Sequence, residues 1–213
     1  MRTYIIVYLI SFVVSVIVTR AVRDWAIRRN WVDEIGGRKI HTRPTPRLGG
    51  IGVISGMATA LLLTLVWSND ILDAFHQDFE LISALCGGLG ILTIIGCIDD
   101  LKDISALTKL LGQIAAGGVA YTAGIQIDAI TIPFFGIWHL GMLSLPMTIF
   151  WYVLAINAVN LIDGMDGLAG SVVALSGTTL FLMGFVDDRF VSCLVLVAML
   201  GGVTGFLRYN FNP

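Results

Sequence analysis

The chain has 213 residues, of which 56% are hydrophobic, 24 are glycine and only 13% are charged. Soluble domains carry about 25% charged residues, so 13 basic and 15 acidic side chains are too few to cover a water-exposed surface. We therefore predict an all-α protein, a polytopic transmembrane helix bundle in the lipid bilayer. This composition argues against a disordered chain, a disulfide-rich secreted scaffold and nucleic acid as a partner. The three cysteines lie in apolar runs, which favours small buried side chains at Cys86, Cys97 and Cys193.

Apolar runs long enough to cross a bilayer, which takes about 20 helical residues, recur along the chain. They predict a single integral membrane domain over residues 1–213 with seven spans, at residues 4–22, 48–67, 81–98, 107–125, 146–160, 168–186 and 190–207. The fifth span is short, so we expect it to begin in the LGMLSLP stretch or to continue into the motif that follows. Before it, QIDAITIPFFGIWHL alternates β-branched and polar residues, which is typical of a short hairpin or an interfacial segment.

The basic residues are distributed unevenly between the two sides of such a bundle. With seven spans, 11 of the 13 fall on connections on one side, and only Arg2 and Arg189 lie on the other. The positive-inside rule makes the basic side cytoplasmic. We therefore expect the N-terminus to lie outside and the conspicuous polar motifs described next to be cytoplasmic.

The first of these motifs is the basic loop GGRKIHTRPTPRLGG, residues 36–50. Pro44 and Pro46 stiffen the loop, and the Gly49–Gly50 pair lets the backbone approach a neighbour closely. A dense basic loop at the membrane surface suits an anionic head group or a phosphorylated ligand, although positive-inside charge alone is an alternative. The candidate ligand-binding side chains are Lys39, His41, Arg43 and Arg47.

The second motif is IGCIDDLKD, in which Asp99 and Asp100 end an apolar span. Adjacent carboxylates repel each other unless a cation or proton lies between them, and Mg²⁺ is typically held by one or two carboxylates plus substrate phosphates. An acidic residue at a helix C-terminus also opposes the helix dipole, which argues against a merely solvated helix end. A P-loop ATPase is excluded because the sequence has three lysines and no GxxxxGK[ST].

The third motif is NAVNLIDGMDGLAG, residues 157–170, which places Asn157, Asn160, Asp163 and Asp166 three residues apart. The interleaved glycines predict that the helix breaks here. Irregular backbone near membrane depth is tolerated where it lines a cavity. Two Asn and two Asp at a broken helix end can coordinate a cation and bind a polar ligand. A fourth motif, RYNFNP, adds Asn210 on the same predicted side.

PTPRLGG, the Asp99–Asp100 pair and NAVNLIDGMDGLAG together resemble the polyprenyl-phosphate N-acetylhexosamine-1-phosphate transferases of the glycosyltransferase 4 family, in the same order along nearly the whole chain. The resemblance implies ten or eleven spans in a bacterial plasma membrane and a cytoplasmic active site. It implies transfer of a sugar-1-phosphate from a UDP-sugar to undecaprenyl phosphate, with release of UMP. It also implies Mg²⁺ as cofactor, with Mn²⁺ as an alternative. By motif match, the metal-binding and catalytic residues would be Asp99, Asp100 and Asp163, and Asn157, Asn160, Asp166 and Asn210 would bind substrate.

In that family the fourth motif continues to Phe-Met-Gly-Asp, whose Asp is a metal ligand, whereas this sequence stops at Pro213. We therefore expect the chain to be the N-terminal two thirds of the enzyme and to be inactive alone. The basic loop resembles the enzymes that take UDP-N-acetylglucosamine, so N-acetylglucosamine is the expected sugar, as the first membrane step of a cell-envelope polysaccharide.

Two alternatives remain at this point. The phospho-N-acetylmuramoyl-pentapeptide transferase branch is the alternative within the same family. An ion-coupled secondary transporter is the alternative from another class, because broken helices and intramembrane carboxylates also mark carriers, although the acids here cluster at one face and no repeat is present. The downstream polymer, a one-step or covalent mechanism, and a homodimer as the oligomeric state are left open.

Overall fold

The structure is a computed structural model that describes residues 1–29, 32–33, 45–46, 48–67 and 69–211. Eight α-helices lie within these residues: α1 Arg2–Arg28, α2 Gly50–Trp67, α3 Asn69–Gln77, α4 Phe79–Lys102, α5 Ala106–Thr122, α6 Ser144–Ile162, α7 Leu168–Val186 and α8 Phe190–Asn210. Two antiparallel strand pairs accompany them: β1 Val32–Asp33 with β2 Thr45–Pro46, and β3 Ala129–Ile132 with β4 Gly136–His139.

All seven predicted spans form helices, which confirms an all-α polytopic membrane protein. Among the described residues, five helices are long and apolar enough to cross a bilayer: Arg2–Arg28, Phe79–Lys102, Gly141–Ile162, Leu168–Val186 and Phe190–Asn210. The apolar helix at Gly50–Val66 and the 17-residue α5 are shorter. The fifth span both begins in LGMLSLP, through a 3₁₀ turn at Gly141–Leu143, and continues into the Asn/Asp motif.

Helix α3 was not predicted from the sequence. It packs against α2 and buries Ile71 and Phe75, which lie one helical turn apart, while Asp73 and His76 are exposed. The cysteine prediction is correct for Cys193, which is buried, and wrong for Cys86, which is exposed on α4. An apolar side chain exposed on a membrane-spanning helix does not need a protein neighbour, because lipid chains can surround it.

Contacts divide the chain into two compact units, one formed by Met1–Gln77 with Leu161–Pro213 and the other by Asp78–Asn160. The first unit contains α1–α3, α7 and α8, and the second contains α4, α5, the β3–β4 hairpin and nearly all of α6. A single integral membrane domain over residues 1–213 stays a prediction.

Helices α1 and α8 form the most extensive helix–helix contact of the first unit. Ser11 Oγ donates a hydrogen bond of 2.6 Å to the carbonyl of Ala198, and Ser15 Oγ one of 2.7 Å to the carbonyl of Gly202. A Cβ atom at Gly205 would lie 2.7 Å from the carbonyl oxygen of Phe12. Small residues and hydrogen bonds between helices are the usual basis of helix association in membranes. This pairing holds the C-terminal end of α8, and with it Asn210, in place.

In the second unit, α5 contacts both α4 and α6 through glycines. A Cβ atom at Gly112 would overlap the side chain of Ile95 in α4, and one at Gly117 would lie 3.4 Å from Cβ of Tyr152 in α6. The alternating segment after α5 forms the β3–β4 hairpin, with Ala129 opposite His139 and Ile132 opposite Gly136. The hairpin interpretation of this segment is therefore confirmed.

Candidate active site

The Asp-Gly motif forms a tight turn between two helices of the chain. Helix α6 ends at Ile162 and α7 begins at Leu168, so the predicted helix break lies at residues 163–167. Gly167 has φ +73°, and an added Cβ atom would overlap the ring of Phe211. Left-handed backbone and lack of space together require glycine at this position. Asp163 and Asp166 are exposed on the turn.

Asn210 at the end of α8 holds this turn. The N–H of Gly167 donates a hydrogen bond of 2.9 Å to Asn210 Oδ1. The third and fourth sequence motifs are therefore in direct contact within the first unit. Asn210, which the sequence predicts as a substrate-binding residue, uses its carbonyl oxygen to fix the loop that carries Asp163 and Asp166.

Asn157 is oriented by two hydrogen bonds within the second unit. Its Nδ2 donates to Gln113 Oε1 at 2.6 Å and to the carbonyl of Val153 at 2.8 Å. A backbone carbonyl can only accept, so the amide nitrogen must face Val153, and both of its hydrogens are used. The Asn157 side chain therefore offers only its carbonyl oxygen to a ligand. Asn160 lies one helical turn further along α6 and is exposed.

Gln113 was not predicted as a functional residue. It is 8% exposed on α5, in an otherwise apolar run. A buried amide inside an apolar helix is unfavourable without a partner, and its partner here is a residue of the Asn/Asp motif. The signal that could have identified Gln113 is this isolated polar side chain in a predicted span.

Asp99 and Asp100 lie in the last turn of α4 rather than beyond it. The helix ends at Lys102, and the next residue, Asp103, has φ +47° and donates its N–H to the carbonyl of Asp99 at 2.9 Å. Ser105 then caps α5 by accepting the N–H of Thr108 at 3.2 Å. This short connection turns the chain so that the first residues of α5 lie beside the end of α4.

Lys109, at the start of α5, contacts Asp99 as a result of this turn. Its Nζ lies 2.6 Å from Asp99 Oδ2. The other carboxylate oxygen, Oδ1, is buried and has no hydrogen-bond partner among the described residues. Lys109 was not predicted as a site residue, since its contact depends on the geometry of the turn.

The chemistry around Asp99 fits a divalent cation. A buried carboxylate oxygen without a partner is unfavourable unless a cation or a donor meets it, and Mg²⁺ usually takes only one or two carboxylates plus substrate phosphates. Asp99 and Asp100 belong to the second unit and Asp163 to the first. Within the described ranges there is no group of three or more His, Cys, Asp or Glu side chains that could hold a metal ion.

The predicted phosphate-binding residues of the basic loop, Lys39, His41, Arg43 and Arg47, lie outside the described residues. The end of that loop is described. Leu48 is buried with φ +72°, and a Cβ atom at Gly49 would lie 2.6 Å from the ring of Phe206 in α8. The close approach that we expected at this glycine pair is therefore found at Gly49, against α8, and not at Gly50, where an added Cβ atom would meet nothing within 4 Å.

A positively charged side chain lies beside Tyr209, the residue before Asn210. The guanidinium of Arg23 in α1 stands over the ring of Tyr209 at 5.9 Å from its centroid, and Tyr209 directly precedes Asn210. The contact places positive charge close to the end of α8 within the first unit.

Comparison with known proteins agrees with these motifs. The sequence profile of glycosyl transferase family 4 matches residues 81–213. The probable undecaprenyl-phosphate N-acetylglucosaminyl 1-phosphate transferase of Bacillus subtilis (strain 168) is 28% identical over 210 residues, covering 98% of this chain and 56% of that protein. Decaprenyl-phosphate N-acetylglucosaminephosphotransferase of Mycolicibacterium smegmatis is 32% identical over 227 residues, covering 100% of this chain and 54% of that protein.

A phospho-N-acetylmuramoyl-pentapeptide-transferase of Streptococcus pyogenes serotype M3 is 30% identical over 219 residues, covering 96% of this chain and 65% of that protein. The chain thus spans about half the length of the two N-acetylglucosamine-phosphate transferases that it matches. The family profile covers more than half of this chain. The resemblance seen in the sequence motifs is therefore confirmed, and the chain belongs to glycosyl transferase family 4.

Proposed function

We propose that this protein transfers N-acetylglucosamine-1-phosphate from UDP-N-acetylglucosamine to undecaprenyl phosphate and releases UMP. The observation that carries the proposal is the state of Asp99, which has one carboxylate oxygen on Lys109 and the other buried without a partner among the described residues. Such a carboxylate is suited to a cation that neutralises phosphates. Membership of glycosyl transferase family 4, in which similar proteins carry names of this activity, supports the same reaction.

Phosphoryl transfer is promoted mainly by positioning and by stabilising negative charge. Mg²⁺, when bound, would neutralise the diphosphate and the departing UMP. Asp99 Oδ1 would hold it, with Asp100 beside it, and Asp163 is proposed as a further ligand from the sequence motif alone. Lys109 would keep the Asp99 carboxylate in one orientation through Oδ2. Mn²⁺ is the alternative metal.

The amide groups of the motif would orient the substrate. Asn157 presents a fixed acceptor, which suits an N–H or O–H of the nucleotide or the sugar. Asn160 and Asp166 would add further polar contacts, and the contact between Gly167 and Asn210 would keep the Asp-Gly turn rigid. Lys39, His41, Arg43 and Arg47 would supply positive charge to the phosphates. The acceptor phosphate can attack directly, or a carboxylate can act first as a base or nucleophile.

The reaction would take place at the cytoplasmic face of a bacterial plasma membrane, with the lipid acceptor in the bilayer. The distribution of basic residues supports that orientation, with the N-terminus outside. The names of the similar proteins from Bacillus subtilis and Mycolicibacterium smegmatis favour N-acetylglucosamine over the pentapeptide-linked sugar. Family membership disfavours the transporter alternative.

The test is donor-dependent release of UMP by the protein as its gene encodes it, purified and supplied with undecaprenyl phosphate and Mg²⁺. UDP-N-acetylglucosamine should give UMP and a lipid-linked sugar in equal amounts, and omission of Mg²⁺ should abolish both. Activity only with UDP-N-acetylmuramoyl-pentapeptide would assign the protein to the other branch. No release with either donor would refute the proposal.

A matched pair of variants connects the activity to Asp99. Asp99→Asn should lower turnover at least about 10²-fold, the usual effect of losing one electrostatic contribution. Asp103→Asn is the control, because Asp103 ends the same helix in a left-handed conformation that asparagine also adopts readily. Equal losses in both variants would show that the helix end, rather than the Asp99 carboxylate, is what matters.

A further inference from the structure

The β3–β4 hairpin carries the two most exposed aromatic side chains of the described residues, together with a third exposed one. Phe134 is 105% exposed, Phe135 is 88% exposed and Trp138 is 59% exposed. Phe134 and Phe135 lie in the three-residue turn between the strands, and Trp138 lies in β4, opposite Ile130. They belong to neither of the helices that flank the hairpin, so crossing the membrane as a helix does not explain their exposure.

The hairpin is attached firmly to the start of α6. The N–H of Ile127 donates to Thr148 Oγ1 at 2.9 Å, and the N–H of Leu140 donates to the carbonyl of Asp128 at 2.8 Å. Ser144 Oγ donates to the carboxylate of Asp128 at 3.2 Å. Thr148 and Ser144 are 1% and 3% exposed. The aromatic turn therefore has a fixed position relative to α6.

The surface around the turn is continuous with the lipid-facing surface of a spanning helix. The span that contains α6 begins at Gly141, two residues after β4 ends. Met142, in the 3₁₀ turn at the start of this span, is 99% exposed, and Trp151, further along α6, is 59% exposed. The segment 129–162 has no Asp, Glu, Lys or Arg, so no acidic side chain, lysine or arginine in it opposes contact with the apolar edge of a bilayer. Aromatic residues are enriched at that edge.

The backbone of the turn gives an independent indication. Phe134 has φ +71°, a conformation that is unfavourable for a bulky residue and that asparagine or glycine adopts more readily. A turn that only connected two strands would be more stable with one of those residues. Phenylalanine therefore occupies this position against the local backbone preference, which indicates that its side chain contacts something outside the hairpin.

We infer that the tip of the β3–β4 hairpin inserts into the head-group region of the bilayer, on the side opposite the basic connections, and fixes the depth of α6. The occupant of this apolar surface is lipid. The inference is separate from the proposed transferase activity and is tested without measuring it.

The experiment uses the protein as its gene encodes it, with every tryptophan except Trp138 replaced by phenylalanine. Within this sequence the replaced residues are Trp25, Trp31, Trp67 and Trp151. This variant is reconstituted into phosphatidylcholine–phosphatidylglycerol vesicles that contain lipid brominated near the head group or near the chain end. Head-group bromine should quench Trp138 at least about twofold more than chain-end bromine, as for an interfacial tryptophan, and aqueous iodide should quench it weakly. If that variant does not insert into vesicles, the quenching of Trp138 is obtained as the difference in quenched fluorescence between the native protein and the Trp138→Phe variant.

Two double variants separate insertion from folding. Phe134→Asn with Phe135→Ser suits the turn backbone and removes the apolar surface, so quenching by head-group bromine should fall by at least about half. Phe134→Leu with Phe135→Leu keeps the apolar surface and should keep the quenching. Strong iodide quenching of the native tip, or unchanged bromine quenching in the polar variant, would overturn the inference. Protection from both quenchers together with cross-linking between copies would replace lipid by a second copy of the chain.

Discussion

Replacing Lys109 with methionine tests the arrangement around Asp99. The two side chains approach to 2.6 Å and are 36% and 28% exposed. Ion pairs with this access to water contribute about 0.2–1 kcal/mol to stability, and methionine keeps most of the apolar stem. We therefore expect the free energy of unfolding to fall by no more than about 1 kcal/mol, or about 2–4 °C in Tm for a chain of this size.

The activity of the Lys109→Met variant should fall much further than its stability. Losing one preorganised electrostatic contact usually lowers turnover about 10²–10³-fold, or about 2.7–4 kcal/mol. We expect the lower end, because Lys109 orients the carboxylate and is not itself placed on the substrate. The Mg²⁺ concentration for half-maximal rate should not rise, since the ammonium that is removed competes with Mg²⁺ for the same carboxylate.

The assay is UMP release by the protein as its gene encodes it, with thermal unfolding of each variant in the same detergent. Lys102→Met is the matched control, because Lys102 is exposed in the last turn of α4 and should lose less than about twofold, as surface substitutions usually do. Native activity in Lys109→Met would refute the reasoning. So would a loss of activity fully accounted for by unfolding.

Three further predictions concern the Asp-Gly turn and the motif before it. Gly167→Ala should lower stability by about 1–3 kcal/mol, from left-handed backbone and overlap with Phe211. Gly164→Ala is the control, because an added Cβ atom there meets nothing within 4 Å, and it should change stability by less than about 0.5 kcal/mol. An equal fall in Tm for Gly167→Ala and Gly164→Ala would contradict this prediction. Gln113→Leu should raise the KM for UDP-N-acetylglucosamine about tenfold by releasing Asn157, and an unchanged KM would show that the orientation is unimportant. A cysteine at position 164 in a cysteine-free chain should react with an impermeant maleimide only after the membrane is opened, and labelling on intact cells would reverse the topology.

The helices could largely be predicted because the length of an apolar run determines whether a helix can cross a bilayer. The sixth predicted span, residues 168–186, has the bounds of α7. Helix α1 extends to Arg28 and α8 to Asn210, beyond the predicted ends, because polar residues can continue a helix after hydropathy has ended the span. Helix α3 could not be predicted from hydropathy, since it has only nine residues, of which four are apolar and five are polar.

The candidate site could be predicted as a set of residues but not as a set of contacts. Asp99 and Asn157 are conspicuous because polar side chains are rare in apolar spans. Their partners depend on geometry that composition does not specify. Lys109 reaches Asp99 only because Asp103 takes up a left-handed conformation and ends α4.

Two asparagines of the candidate site, Asn157 and Asn210, make contacts within the protein that the sequence does not predict. The sequence predicts both Asn157 and Asn210 as ligand-binding residues, yet Asn157 has both amide hydrogens on protein acceptors and Asn210 has its carbonyl oxygen on a backbone N–H. Each asparagine therefore has one end that fixes the backbone or a neighbour, which leaves only the opposite end for a ligand. An amide can do this because its donor and acceptor point in different directions. Replacement by aspartate would remove the N–H donor that Asn157 uses but keep the oxygen acceptor that Asn210 uses. We therefore expect Asn210→Asp to be tolerated better than Asn157→Asp.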